Sequence, residues 1–99
     1  MVMSDMLVLP ANFDDYEWEA TAKGYFQQAR LIVSGNEYQL TFYDEVRLGQ
    51  TMKDVLKSDG VFFEPNLVVV GSVTRIEMER AAKYLVQTGH VSSLVKEKG

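Results

Sequence analysis

The strongest hydrophobic pattern in the chain runs from Asn66 to Ala82, NLVVVGSVTRIEMERAA. Leu67, Val68, Val69 and Val70 form an unbroken apolar run. A half-exposed strand would alternate apolar with polar residues, because successive side chains point to opposite faces. The run therefore predicts a strand buried on both sides, the interior plank of a sheet. Gly71 and Ser72 punctuate it. Thr74 and Glu77 then carry capping-box spacing, in which a hydroxyl caps an early helical N–H and a carboxylate reaches back. Met78, Ala81, Ala82 and Leu85 follow at three- and four-residue steps, one stripe of a helix. Gly89 is placed to end it.

Three further elements follow from pattern. Tyr16–Ala22 alternates, with Tyr16, Trp18, Ala20 and Ala22 on one side and Glu17, Glu19 and Thr21 on the other, which predicts a half-buried strand. Ala29–Ser34 and Glu37–Tyr43 flank Gly35-Asn36, a two-residue hairpin signal. That turn pairs Val33 with Tyr38, Leu31 with Leu40 and Ala29 with Phe42, and a one-residue slip would set apolar against polar along the ladder. Leu48, Met52, Val55 and Leu56 have helical spacing, with Asp44 as cap, Lys57 in the last turn and Ser58-Asp59-Gly60 as the stop.

The expected order is β-β-β-α-β-α. It describes an α+β fold, a two-layer sandwich with a mostly antiparallel four-stranded sheet and two helices on one face. The last strand runs parallel to the third if both share a sheet, and its neighbour is left open. Residues 1–13 read as an N-terminal arm or, through Met6–Leu9 ahead of Pro10, as a short edge strand. Residues 14–94 form the single α+β domain and residues 95–99 a frayed tail.

Composition narrows the function. With 99 residues, the chain holds one domain. An apolar content of 46% excludes disorder, and the lack of cysteine excludes disulfide and thiolate chemistry. That lack fits a reducing compartment, so a cytoplasmic location is expected. A net charge of −4 and ten scattered Lys and Arg argue against nucleic acid, which requires a basic face. No window is apolar enough to span a membrane, and MVMSDMLVLP lacks the basic leader of a signal peptide.

Candidate chemistry is sparse. His90, the single histidine, follows Gly89 beyond a helix end, where a lone imidazole is a solvated cap residue without a partner to orient it. The carboxylates Asp14, Asp15, Glu17 and Glu19 crowd together, yet no calcium-loop spacing occurs. Gly71-Ser72 lacks the glycine pattern of a phosphate loop. No cofactor, metal or catalytic residue is assigned, and an enzyme is not expected.

The remaining surface is the sheet face away from the helices. With Trp18, Leu31, Leu40 and Phe42 turned inward, the other face carries Glu17, Glu19, Arg30, Ile32, Gln39, Thr41 and Tyr43, joined by alternate residues of the LVVV strand. Such a face, polar at its margins and apolar in the middle, needs a cover. The N-terminal arm, a second copy of the chain and a different protein are the alternatives. Tyr25, Phe26 and Tyr43 are its candidate exposed anchors. The expected function is a small non-enzymatic interaction protein, a homodimer or a partner-docking module. An immunity-type inhibitor of a basic target is one concrete version. The alternative is a small-molecule-binding module or a small enzyme using Asp, Glu and Tyr.

Overall fold

The computed structural model describes residues 6–96. The elements are β1 (Met6–Val8), α1 (Phe13–Lys23), β2 (Tyr25–Val33), β3 (Asn36–Asp44), α2 (Glu45–Asp59), β4 (Leu67–Val70) and α3 (Arg75–Gln87), followed by a 3₁₀ turn at His90–Ser93. One mixed sheet has the order β1-β2-β3-β4. The β1–β2 and β2–β3 pairs are antiparallel, and β3–β4 is parallel. The fold is α+β, as expected, with a mixed sheet.

The expected first strand is a helix. Tyr16–Ala22 alternates, but Phe13, Tyr16, Ala20 and Gly24 also recur at helical steps, and the longer period prevails. Phe13 and Ala20 are buried, whereas Trp18 is 71% exposed. The helix is irregular at Tyr16 (φ −133°, ψ 21°) and ends at Gly24 in the left-handed region (φ 69°). Met6–Val8 form β1, paired antiparallel with β2 at one edge of the sheet. Residues 1–5 of the arm and 97–99 of the tail lie outside the described residues.

The hairpin forms with a different register. Its loop is Ser34-Gly35, both at positive φ (50° and 82°). Positive φ at both central positions is what a twist-matched two-residue turn requires. Leu31 therefore pairs with Tyr38, Ala29 with Leu40 and Val33 with Asn36. The shift from the expected pairing is two residues, so every side chain keeps its face. The ladder is interrupted between Phe26 and Ala29 by an extra residue on β2.

The core lies between the sheet and the helices α1 and α3. Phe13, Ala20, Phe26, Ala29, Leu31, Tyr38, Leu40, Phe42, Val70, Val73, Met78, Ala82 and Val91 form one cluster. Phe13 anchors it with an edge-on contact to Phe26 (centroids 5.0 Å apart). The sequence places α2 and α3 on this layer, but no residue of α2 is buried or belongs to the cluster. The two covering helices are α1 and α3.

Polar contacts lock α1 to the start of α3. The Glu17 carboxylate accepts the Arg75 backbone N–H at 2.7 Å, and the Thr21 hydroxyl donates to the Val73 carbonyl at 2.6 Å. Arg75 donates twice to Asp14 and lies over the Phe13 ring. The hydrogen bond to Asp14 raises the Arg75 guanidinium above its ordinary value. Thr74 caps α3 as expected, its hydroxyl accepting from the Glu77 N–H at 3.2 Å.

The LVVV run is not an interior plank. β4 is the last strand of the sheet and pairs only with β3 among the described residues. Val70 is buried, but Val69 is 47% exposed. Apolar residues on both faces marked burial correctly for Val68 and Val70, which face the core. They did not mark it for Val69, on the opposite face at the rim.

Candidate interaction surface

The open face of the sheet begins at a close crossing of two chain segments. The Asp44 carboxylate caps α2, accepting from the Arg47 N–H at 2.7 Å. Asp44 N–H donates to the Gly24 carbonyl at 2.9 Å. A Cβ at Gly24 would collide with the Asp44 carboxylate and displace it from its place at the start of α2. This crossing ties the α1–β2 turn to the β3–α2 turn and fixes where the first turn of α2 can reach.

Arg47 uses that position. Its guanidinium donates to the Lys23 carbonyl and lies 5.6 Å from the centre of the Tyr25 ring. Tyr25 and Tyr43 are opposed across β2 and β3, with ring centroids 4.8 Å apart. The Tyr43 hydroxyl donates to the Glu64 carboxylate at 3.0 Å. Burial, then the hydrogen bond and charge of Glu64, pushes the Tyr43 phenol up to about 12; Arg47 opposes the shift. Burial and the Glu64 charge also raise Tyr25. These shifts keep both phenols neutral and donating, which suits a structural clasp between sheet and α2 rather than proton transfer.

The sequence-nominated residues separate. Arg30, Ile32, Gln39, Thr41 and Tyr43 lie on the open face, as the alternation required. Arg30 is exposed and paired with Glu37 at 2.8 Å. Ile32 is half-buried, and Gln39 is exposed with its amide donating to the Gln27 carbonyl. Thr41 and Tyr43 are buried instead of presented, and Phe26 is in the core. Of the three candidate anchors, only Tyr25 keeps partial exposure. Glu17 and Glu19 are not on this face at all. They sit on α1, where Glu17 caps α3 and Glu19 pairs with Lys23 at 2.8 Å. Their placement was inherited from the strand misreading.

Part of the open face is already covered from within. Asn66, in the left-handed region at φ 57°, donates from its side chain to the Gln39 carbonyl. The same amide group exchanges two hydrogen bonds with the Val95 backbone, at 2.9 and 2.8 Å. The α2–β4 return and Val95, which the sequence assigned to the tail, thus lie against this end of the sheet.

Exposed large apolar side chains occur on several elements, Trp18 of α1, Val46 of α2 and Ile76 of α3 among them, and four fall between α2 and β4. Leu56 is 49% exposed, Val61 65% and Phe63 83%, and Val69 of β4 joins them. On the core side of β4, a groove of about 380 Å³ separates Val68–Gly71 from Glu77, Arg80, Ala81, Tyr84 and Leu85 of α3. Sequence reasoning missed this rim because it took β4 for an interior strand. The available signal was the exposed aromatic in Val61-Phe62-Phe63, an apolar run within a loop.

Other chemistry is thin. His90 is exposed, stacks on Tyr84 and hydrogen-bonds with Thr88. Among the described residues no three His, Cys, Asp or Glu side chains are grouped to hold a metal, and no helix is long and apolar enough to cross a membrane. No protein-family model matches the chain, and no curated protein or solved structure matches it either.

Proposed function

We propose that the protein is a small non-enzymatic binding module that works through the β4 end of its sheet and the adjoining α2–β4 return. One observation carries this reading. Phe63, Val61, Leu56 and Val69, all largely apolar, are exposed along one stretch of chain, beside a helix with no buried residue. An isolated exposed leucine needs no explanation, but an exposed aromatic with three exposed branched residues within 14 positions of the chain supports a contact surface. Aromatic anchors such as Phe63 supply much of the energy in such contacts.

Site-specific photo-cross-linking in the native cell tests this. A photoreactive side chain at Phe63 or Val69 is expected to give discrete adducts, while one at exposed Gln50 of α2 gives none. The absence of adducts at both positions would overturn the reading.

A second reading rests on a separate feature. A cleft of about 490 Å³ between β1 and α3, lined by Met6, Leu7, Leu31, Ala82, Lys83 and Val86, has the size and apolar lining of a small-ligand site. Thermal shifts against a metabolite panel would reveal an occupant.

A further inference from the structure

We infer that the pocket beside the Asn66–Val95 contact binds a short aliphatic α-amino acid, with Glu64 taking its ammonium and Lys96 its carboxylate. The inference is independent of the binding-module reading, because it uses none of Leu56, Val61, Phe63 and Val69. The pocket has a volume of about 310 Å³ and lies where Gln39 and Thr41 of β3 meet the Glu64–Asn66 return and the Val95–Lys96 segment. That volume is at the lower end of the range for small-molecule sites, so it suits a ligand of few atoms.

Several side chains of this pocket carry polar capacity that the fold leaves unused. Thr41 is only 8% exposed, yet its hydroxyl has no hydrogen-bond partner among the described residues. A buried hydroxyl costs free energy until water or a ligand meets it. Glu64 accepts the Tyr43 hydroxyl through one oxygen and makes no ion pair among the described residues, so its second oxygen and its charge are unspent. Lys96 lines the same pocket and is not ion-paired either. Gln39 gives its amide N–H to the Gln27 carbonyl and keeps its Oε1 as an acceptor.

Asn66 holds the arrangement together. Its amide donates to the Gln39 and Val95 carbonyls and accepts the Val95 N–H, which fixes the chain next to Lys96 and leaves Asn66 with nothing to offer a ligand. Two opposite charges thus face one pocket without bridging it. A molecule bearing only one charge would satisfy one of them and meet a like charge in the other, whereas a zwitterion satisfies both. Pro65 and Val95 supply the apolar lining for a short hydrocarbon side chain.

Titration of the isotope-labelled full chain with L-valine, followed by amide NMR shifts, tests the inference. The shifts should concentrate at Gln39, Thr41, Asn66, Val95 and Lys96 and saturate with a dissociation constant on the order of 1 mM. Isovalerate, which lacks the ammonium, and isobutylamine, which lacks the carboxylate, should each bind about tenfold more weakly or worse. Glu64→Gln, which keeps an acceptor for Tyr43, and Lys96→Met should each weaken L-valine by about tenfold or more, and Thr41→Val by about threefold. Their spectra without ligand should otherwise match wild type, and Lys57→Met, on exposed α2, should bind as wild type does. Absence of saturable shifts up to about 50 mM would overturn the inference. So would equal binding of either singly charged analogue, undiminished binding to Lys96→Met, or shifts scattered away from the pocket.

Discussion

Replacing Gly24 with alanine should destabilise the fold through two separable effects. Gly24 has φ 69°, a conformation that costs an L-residue about 1–2 kcal/mol. The new Cβ would also fall 2.4–2.7 Å from the Asp44 carboxylate atoms. The cheapest relief is for that carboxylate to swing away, which releases the Arg47 N–H it accepts at 2.7 Å and removes the α2 cap, worth about 1 kcal/mol. The total is about 2–4 kcal/mol, or roughly 10–25 °C in Tm for a domain of this size. Urea unfolding of wild type, Gly24→Ala, Asp44→Ala and the double variant measures it. With Asp44 already alanine, the clash and the cap are gone, so Gly24→Ala should then cost only the backbone term. The coupling between the two sites is expected to be about 1–2 kcal/mol. Gly35→Ala, which meets nothing within 4 Å, should cost only the strain of its own φ of 82°. Simple additivity at Gly24 and Asp44, within about 0.5 kcal/mol, would refute the crossing argument.

Two further outcomes follow from the polar contacts. Glu17→Ala should cost about 1–2 kcal/mol in denaturant unfolding, because the Arg75 N–H at the start of α3 loses its carboxylate acceptor; a change below about 0.3 kcal/mol would show that the lock contributes nothing. Tyr43 loses its proton near pH 10 when unfolded and at about 12 when folded. The unfolded chain releases that proton first, so stability is full below pH 10 and falls as pH rises toward 12, by at most about 1.4 kcal/mol per unit. Unfolding midpoints of Tyr43→Phe should decline less steeply than wild type over this window, and equal slopes would contradict the buried, Glu64-bonded phenol.

Elements with one clear period were legible in the sequence. α3 is marked by Thr74, the Met78–Leu85 stripe and Gly89, which takes φ 77° just past the helix. α2 is bounded by Asp44 and Gly60 as its residues imply. The hairpin faces were readable because alternation survives a two-residue shift, but the turn itself was not. Asn36 looked like a turn residue, yet Ser34 took the left-handed position instead. α1 failed because YEWEATA satisfies a period of two as well as a helical one, and long-range contacts such as Phe13 with Phe26 and Thr21 with the Val73 carbonyl accompany the helical one. That error carried Glu17 and Glu19 onto the wrong surface. For β4, an unbroken apolar run does not separate an interior strand from an edge strand with one face on the core: Val70 is buried while Val69 is 47% exposed.

Photo-cross-linking at the β4 end of the sheet tests the binding-module reading most directly. A photoreactive side chain at Phe63 or Val69 should give discrete adducts in the native cell while one at Gln50 gives none, and the absence of adducts at both positions would contradict the reading.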